Sequence, residues 1–95
     1  PRERKRLEAE RRNRLYRARK RYLEDLEPLE ARIEKAEERI VAIDRSLSEP
    51  STLADPERVR GLLLERADLQ KKLLPMMERW EELMGSLEEA TREAR

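Results

Sequence analysis

The sequence predicts an all-α fold, an antiparallel two-helix coiled-coil hairpin with a basic N-terminal helical extension and proline breaks in both arms. The chain of 95 residues is 47% charged and has 2 Gly and no Phe, a composition typical of coiled coils and long helices. Apolar residues recur at alternating steps of three and four over two stretches, which is the spacing of a coiled-coil seam. Turn-forming residues separate the two stretches.

The first stretch predicts the first arm, and Arg19 is its one charged position. Its members are Leu15, Arg19, Tyr22, Leu26, Leu29, Ile33, Ala36, Ile40, Ile43 and Leu47. The second stretch predicts the second arm, and Arg66 is its one charged position. Its members are Val59, Leu62, Arg66, Leu69, Leu73, Met76, Trp80, Leu83, Leu87 and Ala90. We expect Trp80 to pack on the seam, and Arg66 to fix the register through Glu37 or to extend outward.

The segment between the stretches predicts a turn at about residues 48–56. Pro50 cannot continue the first helix. Asp55 is suited to cap the second helix, Pro56 to occupy its first position, and Glu57 to favour the positive end of its dipole. Because the turn is short, each stretch can bury the other, so we favour a monomer over a dimer. A domain-swapped dimer would satisfy the same pairing.

Pro28 and Pro75 lie inside the two helical patterns. Each removes a backbone donor and crowds the preceding turn. We therefore expect both arms to be interrupted near these prolines.

The composition excludes several classes of chemistry. No Cys and no His are present, so disulfides, thiolate nucleophiles and the usual zinc ligands are not expected. The isolated Gly61 and Gly85 form no phosphate-binding loop, and the carboxylates alternate with basic residues as on exposed helix faces. We therefore expect a domain that is not an enzyme and has no cofactor of its own. Because no apolar window is long enough for a membrane span, we also expect it to be soluble and cytoplasmic.

Charge is segregated along the chain. Residues 1–22 hold 11 basic side chains against three Glu, giving +8, whereas the remainder holds 12 basic and 19 acidic side chains, giving −7. Seven basic residues between positions 11 and 21 form the basic block and are the predicted nucleic-acid-binding residues. They are Arg11, Arg12, Arg14, Arg17, Arg19, Lys20 and Arg21. Such a surface attracts phosphates irrespective of base sequence, and Tyr16 is available for stacking.

Three runs carry a resemblance to a known family. LEPLEARIEKAE at 26–37, LADPERV at 53–59 and ERWEEL at 78–83 resemble the C-terminal coiled-coil domain of ABC-F ATP-binding cassette proteins, over about residues 15–88. The resemblance implies a parent with two tandem ATPase cassettes, which would use ATP and Mg²⁺, and no membrane domain. It further implies action on ribosomes, with this tail contacting DNA or ribosomal RNA.

The domain organisation follows from both lines of reasoning. Residues 1–14 are expected to form a basic linker or a helix from a preceding domain, and residues 15–95 the hairpin. The function expected is a nonenzymatic nucleic-acid-binding tail, with DNA or ribosomal RNA, and possibly the ribosome itself, as partner. The alternatives are a protein-interaction or spacer coiled coil, which includes a homodimer, and the RNA-binding helical arm of an aminoacyl-tRNA synthetase.

Overall fold

A computed structural model of the chain describes residues 1–93. All regular structure in this range is helical, and the predicted all-α hairpin is confirmed. The elements are α1 (Arg2–Arg21), a π-helical turn (Tyr22–Leu26), α2 (Glu27–Leu47), α3 (Pro50–Leu53) and α4 (Pro56–Glu93). None of the helices within residues 1–93 could span a lipid bilayer.

The chain divides into two compact units, each built from both arms. Within the described range, unit 1 comprises residues 1–30 and 79–93, and unit 2 comprises Ala31–Glu78. The division falls close to Pro28 in one arm and to Pro75 in the other.

Unit 2 contains the turn and the part of the seam that adjoins it. Ala36, Ile43 and Leu73 are buried, and Ile43 is completely inaccessible to solvent. The other predicted seam residues of this unit are half-buried. Because every third or fourth residue on each arm is covered while most of the residues between are exposed, the seam predicted from the spacing is confirmed in this unit.

The sequence suggested Glu37 as a partner of Arg66, but Arg66 does not pair with it. It donates instead to Asp44, from Nε to Oδ1 at 2.7 Å. Side chains lean toward the N-terminus of their own helix, so on antiparallel helices Arg66 and Asp44 lean toward each other. Glu37 lies seven residues before Asp44 on the first arm, about two turns further from the hairpin tip, and leans away from Arg66. The ion pair therefore links the arms through a different carboxylate.

The turn contains a short helix that the sequence did not predict. The first arm ends at Leu47, and Pro50 begins the four-residue α3. The predicted cap of α4 is confirmed, because the backbone N–H of Arg58 donates to Asp55 Oδ1 at 3.3 Å. Thr52 in α3 is completely buried, and its hydroxyl has no hydrogen-bond partner among the described residues.

Unit 1 contains the rest of the seam, which departs from the prediction at one position. Leu26 and Leu83 are buried, and Trp80 is half-buried on the seam, as expected. Arg19, however, is exposed, and the neighbouring Ala18 is buried with 6% of its surface accessible. The small apolar side chain occupies the seam because it can be buried at no cost in charge solvation.

The π-helical turn accommodates the altered spacing. From Ala18 the seam steps by four residues to Tyr22 and by four again to Leu26, which is longer than an α-helical turn of about 3.6 residues. A π-helical turn holds more residues, so these three side chains remain on one side of the helix. The backbone N–H of Glu27 bonds to the carbonyl of Tyr22, five residues earlier.

The backbone stays helical at both prolines. At Pro28 the break has the form of the π-helical turn, which widens the helix where the proline ring would crowd the carbonyl of Glu24. The interruption predicted at Pro75 is absent, since α4 continues from Pro56 to Glu93. Pro75 and Lys71 are both exposed, so water can hydrate the Lys71 carbonyl that lacks an N–H donor.

Candidate nucleic-acid interface

All seven residues of the basic block lie on helix α1 and are exposed. No Asp or Glu occurs between Glu10 and Glu24, so no acidic residue of α1 interrupts the basic block. Because about 3.6 residues complete a turn, the block surrounds the helix and is divided by the buried seam into two flanks.

The first flank borders a groove between α1 and the end of α4. Arg14, Arg17 and Arg21 line one side of it, at spacings of three and four residues that align them along the helix. The groove has a volume of about 170 Å³, and its apolar lining is formed by Ala18, Leu87 and Ala90. Ser86 and Glu93 complete the lining on α4. An anionic strand lying along this groove would meet three guanidinium groups and one carboxylate.

Arg12 and Arg19 occupy the second flank, seven residues apart on α1. Tyr16 lies between them and is 66% exposed. Arg11 is on the seam side of α1 and Lys20 on the outward side. The basic block thus combines charge on every accessible face of the helix with one exposed aromatic ring.

Most of the basic block is free of internal neutralisation. Lys20 lies 3.8 Å from a carboxylate oxygen of Glu24 and Arg21 lies 3.6 Å from one of Asp25. Both pairs are solvent-exposed, and such pairs are weak. Among the described residues, the other five arginines have no carboxylate oxygen within 4.0 Å. They are Arg11, Arg12, Arg14, Arg17 and Arg19.

The acidic residues of α4 do not neutralise α1. Every ion pair of α1 within the described range is local, joining residues three or four apart. The two arms of unit 1 are held by the apolar seam, and the arginines of the basic block are left exposed. Charge of this kind is available to an external polyanion.

The contribution of α4 to the groove was missed by sequence reasoning. Ser86, Leu87 and Ala90 belong to a segment without basic residues, so nothing in its composition indicated a site. The pairing of Leu15 with Ala90, which the seam spacing requires, would have placed Leu87 beside Ala18 and revealed the groove.

A second surface feature lies at the turn in unit 2. Leu53, Leu63 and Leu64 are at least half exposed. With Pro56, Val59 and Arg60 they line an open depression of about 510 Å³. Apart from Val59, the residues of this apolar patch do not belong to the seam. No group of three or more acidic side chains within residues 1–93 could hold a metal ion.

Sequence comparisons relate the chain to a protein family and to two release factors. Peptide chain release factor 1 from two strains of Dehalococcoides mccartyi, BAV1 and CBDB1, is 41% identical to the chain over 59 residues. The similarity covers 62% of this chain and 16% of the release factor. No solved structure matches the chain. The family model of the ABC transporter C-terminal domain matches residues 14–84. The chain therefore belongs to the ABC transporter C-terminal domain family, which is typical of ABC-F proteins.

Proposed function

We propose that the chain is a nonenzymatic tail that binds DNA or ribosomal RNA through the basic block, in a cytoplasmic ABC-F ATPase that acts on ribosomes. The observation that carries the proposal is the exposed basic block on α1, in which five arginines have no carboxylate partner among the described residues. Nothing in the seam requires this charge, because Ala18, not Arg19, occupies the buried position.

Counterion release supplies the driving force. A phosphate strand carries condensed cations, and each phosphate contact to Arg or Lys releases them into solution. Arginine suits this role because its planar guanidinium can donate two parallel hydrogen bonds to one phosphate. Binding should be strong at low salt, weak at high salt and largely independent of base sequence.

The comparisons support the setting of this proposal. The chain belongs to a family typical of ABC-F proteins, and the release factor that it resembles is named for the release of peptide chains. Both point to protein synthesis. ATP and Mg²⁺ would be bound by the ATPase cassettes of the parent, because this chain has no glycine-rich phosphate loop.

The test replaces four arginines of the block by glutamine: Arg12, Arg14, Arg17 and Arg21. Affinity for a nucleic acid should fall, and the slope of log K against log salt should decrease by about 0.7 to 0.9 for each lost phosphate contact. Circular dichroism should show the same helix content as in the wild type, since all four side chains are exposed.

A charge-matched control removes four exposed arginines of unit 2: Arg32, Arg45, Arg58 and Arg60. We expect a clearly smaller loss of affinity from this variant. Equal losses from both variants would mean that total charge, not the basic block, governs binding. Unchanged affinity in the first variant would contradict the proposal.

The apolar patch at the turn favours a protein-interaction arm as the second candidate function. Exposed Leu53, Leu63 and Leu64 are the side chains that a protein partner would bury. Sedimentation of the purified chain tests the self-association form of this candidate. A monomer that binds nucleic acid with a steep salt dependence supports the first function, and a dimer lost on Leu63→Ser and Leu64→Ser substitution supports the second.

A further inference from the structure

Tyr16 is the most exposed large apolar or aromatic side chain of the described residues, with 66% of its surface accessible. The other two aromatic residues, Tyr22 and Trp80, are half-buried on the seam of unit 1. Packing therefore accounts for Tyr22 and Trp80 and leaves Tyr16 without a structural role among the described residues.

The surroundings of Tyr16 are basic. Arg12 lies one turn before it, and Arg19 and Lys20 lie one turn after it, all exposed. Residues three and four apart on a helix are surface neighbours, so the ring is bordered by positive charge on both sides along the helix. No acidic residue shares this segment.

We propose that Tyr16 stacks on an unpaired base and that the chain therefore binds single-stranded nucleic acid in preference to a duplex. The inference rests on the proposed nucleic-acid function and specifies its substrate class. A tyrosine ring offers a flat face to any base. In a duplex the base faces are already stacked on one another, and an exposed ring on a helix surface can reach only the backbone. In a single strand the phosphates can lie on Arg12 and Arg19 while a base between them stacks on Tyr16.

The experiment measures binding of the chain to a labelled unstructured oligonucleotide and to a hairpin duplex of the same length and composition, each at several salt concentrations. Stacking of one base corresponds to a loss on the order of 5-fold to 100-fold when the aromatic ring is removed. The substitution Tyr16→Ala should weaken single-strand binding by at least about 5-fold and leave duplex binding unchanged. The salt slope should not change, because the neutral ring releases no counterions.

Two variants control for other roles of this face. Tyr16→Phe retains the ring and should keep the wild-type affinity for the single strand. Leu23→Ala removes an exposed apolar side chain, 58% accessible and seven residues away, and should have no effect. Thermal unfolding of all three variants should match the wild type.

The outcomes separate this inference from the function on which it rests. Equal affinity of the wild type for the single strand and the duplex, or an unchanged affinity in Tyr16→Ala, overturns the stacking role and leaves the electrostatic function intact. Absence of salt-dependent binding to either nucleic acid overturns both.

Discussion

Arg66 on α4 donates two hydrogen bonds to Asp44 on α2, at 2.7 and 3.3 Å, and so joins the two arms of unit 2. A second cross-arm pair joins Arg39 to Glu65, with Nη2 donating to Oε1 at 2.9 Å. With about 100° of rotation per residue, the first pair projects to one side of the seam and the second pair to the other. One ion pair therefore borders each edge of the seam, beside the buried Ile43.

A double-mutant cycle should detect the pairing of Asp44 with Arg66. Asp44→Asn and Arg66→Gln should each lower the melting temperature, and the double variant should lose less than the sum of the two, because both single variants break the same contact. Thermal unfolding at low salt measures the coupling. The same cycle with Glu37→Gln in place of Asp44→Asn should be additive, and coupling of Arg66 to Glu37 would contradict the observed pairing.

The two cross-arm pairs should make stability depend on pH in the acid range. A hydrogen bond from Arg66 lowers the pKa of Asp44, and one from Arg39 lowers the pKa of Glu65. Since the folded state holds these carboxyls ionised below their ordinary pKa, their stabilisation is present at neutral pH and is lost as the pH falls through the lowered values.

The measurement compares the wild type with the variant Asp44→Asn plus Glu65→Gln across pH 7 to about pH 2. The wild type should melt at a higher temperature at pH 7, and the two melting curves should converge in acid. A difference that persists at the lowest pH would show that the pairs do not act through ionisation. High salt should reduce the difference at pH 7.

Replacement of Thr52 by valine should stabilise the turn. The buried Thr52 hydroxyl has no hydrogen-bond partner within residues 1–93, and an unsatisfied buried hydroxyl costs about 1–3 kcal/mol. Valine has nearly the same shape and lacks this polar atom, so Thr52→Val should raise the free energy of unfolding by about 1 kcal/mol. Ser51→Ala in the same short helix is the control. Destabilisation by Thr52→Val would reveal a hydrogen bond made by the hydroxyl.

Residues 18 and 19 should respond differently to the same substitution. Ala18 is buried and forms part of the groove lining, so Ala18→Gln should destabilise the chain by about 1–3 kcal/mol through overpacking. Arg19→Gln should leave the melting temperature unchanged, because Arg19 is exposed. Denaturant unfolding followed by circular dichroism measures both. If Arg19→Gln destabilised the chain and Ala18→Gln did not, Arg19 rather than Ala18 would occupy the seam.

The periodicity of the apolar residues was sufficient to predict the hairpin, because two matched seams and a short turn leave few other ways to bury so many leucines. It was insufficient between Leu15 and Leu26, where both Ala18 and Arg19 fit a step of three or four. The choice between them depends on the π-helical turn before Pro28, and a turn type of that kind is set by local backbone packing that residue spacing does not encode.

The candidate site, too, was only partly predictable from the sequence. The basic block and Tyr16 are visible in the sequence, since charge density and an aromatic residue are properties of composition. The groove that Arg14, Arg17 and Arg21 border is not visible there, because half of its lining comes from residues 86–93 of α4, which lie more than sixty residues further along the chain.

The sequence by itself determined the helical state, the two seams, the Asp55 cap and the segregation of charge, all of which follow from residue type and spacing. Only the tertiary structure decided that Asp44 rather than Glu37 meets Arg66, that Thr52 is buried, and that Ala18 displaces Arg19 from the seam. The physical reason is that long side chains can reach several partners, and the direction in which each one leans is fixed only when the two arms are packed together.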